Sequence, residues 1–189
     1  MAERIFIVRH GETEWSAAGR HTSRTDLPLT ENGRREASRL VDELRGERFE
    51  LVLCSPLRRA RQTCDLAGFG GVAELCDDLH EWDYGRYEGL TRAEILRDDP
   101  DWNLWRDGCP DGETPPEIGA RVDRVLERMG GVSGDGLAFA HGHVLRVLTA
   151  RWLKMEPAAG MRFKLAAAGL SVLGHEHNND VIERWNTTR

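Results

Sequence analysis

Short apolar runs alternate with helical patterns along this chain, and the alternation restricts its fold more than any other feature. Residues 5–8, 51–54 and 136–140 are mainly apolar and have the length of strands that are buried on both faces. Each run is followed by a segment with helical signals, which is the order that crossover connections between parallel strands require. We therefore predict an α/β fold, a three-layer α/β/α sandwich around a mostly parallel central sheet.

Four hydroxyl residues mark predicted helix starts. Thr30 precedes apolar residues that recur at i, i+3, i+4 and i+7, which is the pattern of an amphipathic helix. Thr91 and Thr114 each open a capping box, with a glutamate three residues later. Ser55 is followed by a proline, which favours an N-cap with proline at the first helical position.

The remaining segments complete the expected order of elements. A short strand is predicted at 72–75, and two closing strands are predicted at 170–173 and 180–185. The polar stretch from 11 to 28 is long and has few core candidates, which is typical of a functional loop. Residues 77–112 are rich in Trp, Asp and Gly, and we interpret them as a candidate lid.

Length, charge and cysteine usage narrow the class of protein. The chain has 189 residues, which fits a single domain over residues 1–189 with one sizeable core. Its 26 Lys and Arg against 32 Asp and Glu give a net charge of −6 without a basic run, which argues against nucleic acid or an anionic membrane as the main partner. We expect no membrane helix and no signal peptide. Four cysteines without C-x-x-C spacing predict reduced thiols in the cytoplasm.

Two of the predicted strands end in the same dipeptide, His-Gly. His10 follows the strand at 5–8 after Arg9, and His141 follows the strand at 136–140. Ligands of open α/β sheets bind outside the carboxyl ends of the strands. We therefore expect the two imidazoles to face one crevice.

Arginines accompany the two histidines at this edge of the predicted sheet. Arg9 directly precedes His10, and Arg58 and Arg59 follow the strand at 51–54 in the first turn of a helix, where backbone N–H groups also favour an anion. A guanidinium group can bind two phosphate oxygens at once, and it keeps its positive charge at every physiological pH. That charge disfavours imidazolium and keeps a histidine neutral and nucleophilic. The pattern indicates phosphate chemistry.

Other interpretations of the same residues stay open at this point. Each site histidine, taken alone, is compatible with a hydrogen-bonded core residue, and Arg58 is compatible with a solvated helix surface. The pairs His141/His143 and His175/His177 have the i, i+2 spacing of metal ligands on a strand, but no nearby Asp or Cys completes a ligand set. Three aromatic residues fit either sugar stacking or a small satellite core: Trp82, Trp102 and Trp105.

Five motifs follow one another in order along the chain. They lie at residues 9–13 (RHGET), 26–30 (DLPLT), 55–60 (SPLRRA), 81–89 (EWDYGRYEG) and 141–142 (HG). Together they resemble the motifs of the histidine phosphatase superfamily, also called the phosphoglycerate mutase-like family, over most of the chain. Within that family, the EWDYG, WRDGC, GET and HGH stretches are similar to the sugar-bisphosphatase and acid-phosphatase branch, of which sedoheptulose-bisphosphatase-like proteins are an example.

The resemblance implies a catalytic role for each matching residue. His10 corresponds to the histidine that becomes phosphorylated, and Arg9 and Arg59 correspond to paired phosphate clamps. His141 corresponds to the second imidazole, which donates to phosphoryl oxygens, and Glu81 to the proton donor. The loop departs from the family at two positions, with a serine at 16 for the usual asparagine and a serine at 23 for the commoner glycine. Candidate substrate contacts, from the resemblance or from position, are Ser16, Thr22, Ser23, Arg58, Gly142, His143 and His177.

The resemblance implies hydrolysis of a small phosphomonoester, with phosphorylated sugars as expected substrates, through a phosphohistidine and without metal or cofactor. A phosphoglycerate mutase is the alternative in the same family. Only 60 positions separate Glu81 from His141, whereas the mutases of the family generally carry a longer insertion there. A catalytically silent protein that binds phosphorylated metabolites is the alternative from another class, against which the intact catalytic set argues. The expected partner is a small phosphorylated metabolite, and a homodimer is compatible with the sequence.

Overall fold

A six-stranded sheet forms the centre of the computed structural model, which describes residues 3–188. The strands are β1 Ile5–Arg9, β2 Phe49–Cys54, β3 Glu74–Leu75, β4 Asp135–Ala140, β5 Leu170–Glu176 and β6 Asn179–Thr187. Their order across the sheet is β3-β2-β4-β1-β5-β6. The pairs β2–β3, β2–β4 and β1–β4 are parallel, and the pairs β1–β5 and β5–β6 are antiparallel. The predicted α/β fold with a mostly parallel sheet is confirmed.

The helices of the described chain begin where capping residues predicted several of them. The α-helices, apart from three short 3₁₀ helices, are α1 Glu14–Ala17, α2 Glu31–Glu43, α3 Arg58–Leu66, α4 Arg92–Asp98, α5 Leu104–Asp107, α6 Pro115–Gly130 and α7 Gly142–Trp152. Thr30 caps α2, because its hydroxyl accepts a hydrogen bond from the backbone N–H of Gly33 at 3.0 Å. The backbone N–H groups of Thr91 and Thr114 each donate to the glutamate side chain three residues later at 2.8 Å. Both predicted capping boxes are confirmed.

Successive residues of β1 point to opposite faces of the sheet, and helices cover each face. Ile5 and Ile7 pack into a core that includes residues of α6 and α7, whereas Phe6 and Val8 pack into a second core with residues of α2 and α3. All four side chains are fully buried. A strand buried on both faces between two helical layers is the predicted three-layer arrangement.

Ser55 does not cap α3, so this prediction was wrong. The helix has Leu57 in its capping position, and the backbone N–H of its first residue, Arg58, donates to the Asp26 carboxylate at 2.7 Å and not to Ser55. Ser55 instead continues the sheet, since its backbone N–H donates to the carbonyl oxygen of Phe139 at 2.9 Å. The predicted strand at 72–75 is reduced to the two residues of β3, and the polar stretch at 11–28 contains α1.

The larger apolar side chains of residues 77–112 pack into the core on the side of α6 and α7. Trp82 and Trp102 are buried there, which favours the satellite-core interpretation for both. Trp105 is half-buried and packs against the same core. Movement of this segment as a lid stays a prediction.

Two further expectations from the sequence concern membrane helices and the cysteine thiols. Within residues 3–188, no helix combines the length and the apolar character that crossing a membrane requires. The cysteines are buried free thiols: Cys54, Cys64, Cys76 and Cys109. Burial raises the pKa of the Cys109 thiol to about 12, so that it is protonated at neutral pH.

Candidate active site

The carboxyl ends of β1, β2 and β4 meet at one edge of the sheet. In the register of these strands, Arg9 lies opposite Ala140, and the last residue of β2 lies opposite Phe139. The chain continues from these ends into His10, Ser55 and His141. The ladder extends one residue further, because the backbone N–H of His10 donates to the carbonyl oxygen of Ala140 at 2.9 Å. The sheet therefore brings the two His-Gly dipeptides together, as the sequence predicts.

His10 is held with one ring nitrogen available for reaction. Its Nδ1 lies 2.7 Å from the carbonyl oxygen of Gly11, which can only accept, so Nδ1 carries the proton and Nε2 the lone pair. The residue is buried, at 5% exposure. Burial, followed by the charges of Arg59 and Arg9, lowers the pKa of His10 well below its ordinary value. The ring is therefore neutral, as a nucleophile must be.

His141 lies beside His10, with ring centroids 5.2 Å apart, and has the other tautomer. Arg59 Nε donates to His141 Nδ1 at 3.1 Å, so the proton of the ring sits on Nε2. Nε2 is 2.7 Å from the hydroxyl oxygen of Ser55, to which it donates. Burial, followed by the charge of Arg59, lowers the pKa of His141 well below its ordinary value.

The two predicted phosphate clamps have different surroundings. Arg59 is fully buried, and its terminal nitrogens donate to the carbonyl oxygens of Thr22, Ser23 and Thr25 at 3.1 Å each. Arg9 donates through Nη1 to the backbone carbonyl oxygen of Leu165 at 2.6 Å. Its Nε is buried without a hydrogen-bond partner among the described residues, which leaves a donor for a ligand.

Glu81 is bound to the start of α7 through its carboxylate. Its Oε1 accepts from the backbone N–H groups of Trp82 at 2.9 Å, His143 at 3.1 Å and Val144 at 2.9 Å, and its Oε2 accepts from His143 at 3.0 Å. Gly142 separates this carboxylate from Arg9. A Cβ on Gly142 would stand 3.4 Å from the guanidinium Nε of Arg9 and 3.6 Å from Oε2 of Glu81, so the backbone of this residue lies close to both groups.

A cavity of about 170 Å³ opens at this edge of the sheet. Its lining is basic and aromatic, and it contains a single carboxylate, that of Glu81. The lining residues are Arg9, His10, Ser16, Gly19, Arg20, His21, Thr22, Glu81, Tyr84, Gly142, His143, Arg146 and Leu165.

Most residues that the sequence singled out lie at this cavity or directly behind it. Seven of them line it: Arg9, His10, Ser16, Thr22, Glu81, Gly142 and His143. Three others are buried directly behind the lining, where Arg59 is hydrogen-bonded to both of the other two: Arg59, His141 and Ser23. Direct clamping of phosphate by Arg59 stays a prediction, and the bonded donors of Arg59 face backbone carbonyls and His141.

The three loop hydroxyls make local contacts. The Ser16 hydroxyl forms a capping box with Thr13, accepting from its backbone N–H at 2.9 Å. The Thr22 hydroxyl donates to the carbonyl oxygen of Arg20 at 3.1 Å, and the Ser23 hydroxyl donates to the carbonyl oxygen of Glu81 at 3.3 Å. Each of these hydroxyl groups shapes the loop.

Two of the predicted substrate contacts lie elsewhere. Arg58 is the exposed first residue of α3, outside the cavity, which favours the solvated-surface interpretation. His177 lies in the turn between β5 and β6, with a positive φ of 56°. Because β5 runs antiparallel to β1, with Leu170 opposite Val8 and Leu173 opposite Ile5, its far end is at the opposite edge of the sheet from His10. The substrate contact predicted for His177 is therefore wrong.

The metal-ligand alternative for the histidine pairs finds no support in the described chain. Residues 3–188 contain no group of three or more His, Cys, Asp or Glu side chains placed to hold a metal ion. His143 Nδ1 is hydrogen-bonded to the Tyr84 hydroxyl at 2.5 Å, and His175 Nδ1 is 3.0 Å from the Asp180 carboxylate.

Several residues of the site were missed in the sequence. Ser55 and Tyr84 belong to motifs that were noticed, but their partners, His141 and His143, are distant along the chain. Arg146 follows His143 by one helical turn, a spacing that places both on one face of α7. Three other lining residues come from the polar loop, where no periodicity marks an orientation: Gly19, Arg20 and His21.

The fold and the site together define a class of protein. Residues 5–188 match the sequence profile of the histidine phosphatase superfamily (branch 1), and the chain belongs to this family. An acid phosphatase of Mycobacterium tuberculosis is 43% identical over 182 residues, which cover 92% of this chain and 87% of the relative. A sedoheptulose 1,7-bisphosphatase of Saccharomyces cerevisiae is 38% identical over 186 residues, which cover 80% of this chain and 68% of the relative.

A solved structure of a functionally characterised protein from Mycobacterium tuberculosis has the same fold. It superimposes with a TM-score of 0.94 at 36% identity, over 100% of this chain and 99% of that one. The resemblance to the acid-phosphatase and sugar-bisphosphatase branch is confirmed. The protein is a phosphatase that acts on phosphorylated substrates.

Proposed function

We propose that this phosphatase hydrolyses small phosphorylated sugars through a phosphohistidine at His10. The observation that carries the proposal is the state of this ring, which is neutral, has its proton on Nδ1 against the Gly11 carbonyl, and lines a basic cavity. A relative with the name sedoheptulose 1,7-bisphosphatase, 38% identical, supports a sugar phosphate as the substrate.

The first half-reaction transfers the phosphoryl group to the protein. The Nε2 lone pair of His10 forms a bond to phosphorus, and the bond from phosphorus to the ester oxygen breaks. Glu81, in its protonated form, gives its proton to the departing oxygen, so the alcohol leaves neutral and the carboxylate remains. The Gly11 carbonyl holds the Nδ1 proton and shares the positive charge that develops on the ring.

The second half-reaction returns the histidine to its starting form. A water molecule attacks phosphorus, and the Glu81 carboxylate takes one of its protons. The bond between phosphorus and Nε2 breaks, the electron pair returns to the ring, and inorganic phosphate is released. Each proton and each electron pair is thereby restored before the next substrate binds.

The charge on the transferring group is held by donors that are already in place. Arg9 lines the cavity and has a buried Nε without a hydrogen-bond partner, and the Nε2 proton of His141 is available to a phosphoryl oxygen in place of the Ser55 hydroxyl. Arg59 acts through its charge and by keeping the His141 ring in the donor tautomer. These groups supply positive potential without a metal ion.

The test traps the intermediate. Protein mixed with a ³²P-labelled sugar phosphate and quenched without acid is expected to hold label on His10 that is lost in acid, and His10→Ala is expected to hold none. Label on Ser55 or on a carboxylate would contradict the assignment. Phosphoryl transfer to a second substrate without phosphate release would favour the mutase, and binding without turnover would favour the silent binding protein.

A further inference from the structure

We propose that Arg121 and Glu113 are positioning residues for Glu81, the proton donor of the proposed function, on which this inference rests. Neither residue lines the catalytic cavity. They act by fixing the backbone that carries Glu81, so that its carboxyl group reaches the leaving oxygen.

Arg121 binds the backbone on the amino-terminal side of Glu81. It lies within α6, and its side chain is 11% exposed. Its Nη1 donates to the carbonyl oxygens of Asp78 at 2.7 Å and His80 at 2.8 Å, and its Nη2 donates to the carbonyl oxygen of Glu81 at 3.1 Å. Residues 80–84, all within the described chain, form neither helix nor strand, so these bonds take the place of a ladder.

Glu113 holds the same guanidinium and the chain on the other side of Glu81. Its Oε1 accepts from Arg121 Nε at 2.6 Å and its Oε2 from Nη2 at 2.8 Å, a bidentate pair with fixed geometry. Oε2 also accepts from the backbone N–H of Asp83 at 2.9 Å. The Glu113 carbonyl oxygen accepts from Trp82 Nε1 at 2.9 Å. The pair therefore anchors the chain immediately before and immediately after Glu81.

Apart from the bond of Oε1 to the backbone N–H of Trp82, the carboxyl group and the backbone of Glu81 have separate anchors. The carboxylate is bound by the first backbone N–H groups of α7, whereas the main chain is bound by Arg121 of α6. A shift of the main chain against α7 would therefore change where the acidic proton points. A misalignment of about 1 Å in a reacting group costs on the order of 10² in rate.

The test measures dependence on the leaving group. Arg121→Lys keeps the charge but loses the planar fork, and Glu113→Gln keeps the shape but loses the paired charge. For both, we expect kcat/KM on a sugar phosphate to fall about tenfold or more and on nitrophenyl phosphate less than about threefold, because a good leaving group needs little proton donation. The slope of log kcat/KM against leaving-group pKa is expected to steepen. A role in folding alone would lower all esters equally and leave the slope unchanged.

Arg124→Met is the matched control. Arg124 lies on the same helix and contacts the same segment, but it is exposed and binds the side chain of Asp78 instead of backbone carbonyls, with Nε 3.1 Å from the carboxylate. We expect wild-type kcat/KM and an unchanged slope for this variant.

Glu81→Gln separates the inference from the function on which it rests. A steeper slope in Glu81→Gln together with a wild-type slope in Arg121→Lys and Glu113→Gln would overturn the positioning role alone. An unchanged slope in Glu81→Gln would show that Glu81 is not the proton donor, and the proposed mechanism would fail. If Arg121→Lys does not fold, the shape-preserving Glu113→Gln decides the matter by the same slope.

Discussion

At the scale of single residues, the two imidazoles of the site are fixed in opposite tautomers by their neighbours. The Gly11 carbonyl keeps a proton on His10 Nδ1, whereas Arg59, which can only donate, requires the lone pair of His141 Nδ1 and leaves the proton on Nε2. Burial and the guanidinium charges lower the pKa of both rings, so neither takes a second proton. One ring therefore offers a lone pair and the other a donor, which attack on phosphorus and stabilisation of its oxygens require.

Ser55 is expected to matter for the orientation of His141. Ser55→Ala removes the acceptor 2.7 Å from His141 Nε2 and leaves a buried N–H unpaired, which costs about 1–3 kcal/mol of the free energy of unfolding. We expect this loss together with a fall in kcat of about tenfold, measured by urea denaturation and steady-state kinetics. Ser171→Ala is the control, because its buried hydroxyl also accepts from one N–H, at 2.9 Å, but lies in β5. Equal kinetic losses in the two variants would contradict the role of Ser55.

The principal site residues could be predicted because strand ends and motifs are local in sequence. His10 and His141 each follow an apolar run, and because the two strands are parallel neighbours, both histidines lie at the same edge of the sheet. The partners that set their tautomers could not be predicted in the same way. Ser55 has the local pattern of an N-cap, and the carbonyl groups that bind Arg59 lie 34 to 37 positions away in an irregular loop.

At the scale of secondary-structure elements, the start of α2 packs directly on the loop that follows His10. A Cβ on Gly33 would stand 2.1 Å from the carbonyl oxygen of Glu12, and a Cβ on Gly11 would stand 2.3 Å from the carbonyl oxygen of Gly33. Only two residues without side chains allow this approach of helix and loop. The contact supports the turn whose Gly11 carbonyl binds the His10 ring.

Gly33→Ala is therefore expected to destabilise the protein and to reduce its activity. Overpacking against backbone atoms costs typically about 1–3 kcal/mol and here displaces the catalytic loop, so we expect a loss of that size by denaturant unfolding and a lower kcat. Gly130→Ala is the matched control at another helical glycine, where no atom lies within 4 Å of an added Cβ. It is expected to be neutral or to stabilise by about 0.5–1 kcal/mol. Similar stabilities of the two variants would contradict the close-packing argument.

Helix starts could be predicted where the capping hydrogen bond joins residues that are close in the sequence. Thr30 satisfies the N–H of Gly33 three residues on, a contact that the sequence spacing alone implies. Ser55 has the same local pattern, but its backbone continues the β2 ladder to Phe139, and this pairing across the sheet delays the helix to Arg58. Long-range pairing overrides local propensity there.

At the scale of the whole molecule, strand direction separates what the sequence predicted from what it did not. The crossover pattern predicted the parallel strands, and with them the edge that carries the site. The last two strands follow no crossover pattern, and an apolar run does not show its direction. Because β5 runs antiparallel to β1, His177 lies at the opposite edge of the sheet from His10, and the sequence did not indicate this.

Activity is expected to survive removal of metal ions. The charge that binds phosphate comes from the guanidinium groups of the site, and Arg9 and Arg59 stand beside His10 where they would repel a divalent cation. Dialysis against a strong chelator should leave kcat and KM for a phosphomonoester unchanged, with an established metal-dependent phosphatase treated in parallel as the control. Activity that disappears and returns only with added metal would revive the ligand interpretation of His141 and His143.

The buried histidines make the stability of the whole fold depend on pH. His10, His141 and His143 all have a pKa well below the ordinary 6.5, with burial as the first cause. Above pH 6.5 they are neutral in both the folded and the unfolded chain and contribute no pH dependence. As the pH falls below 6.5, the unfolded chain binds protons that the folded chain excludes, so the free energy of unfolding decreases. Each histidine contributes up to about 1.4 kcal/mol per pH unit until its folded-state pKa is reached.

Urea denaturation at pH 7.5, 6.0 and 5.0 measures this dependence, since the expected loss begins near pH 6.5 and is steeper between the last two values than between the first two. His143→Gln is the informative variant, because a side chain that stays neutral at every pH removes one of the titrating groups. Its free energy of unfolding should fall less steeply below pH 6, by up to one proton in the slope, whatever its stability at pH 7.5. Equal slopes in the variant and the wild type would show that His143 is protonated in the folded protein, and a flat profile from pH 7.5 to 5.0 would show the same for His10 and His141.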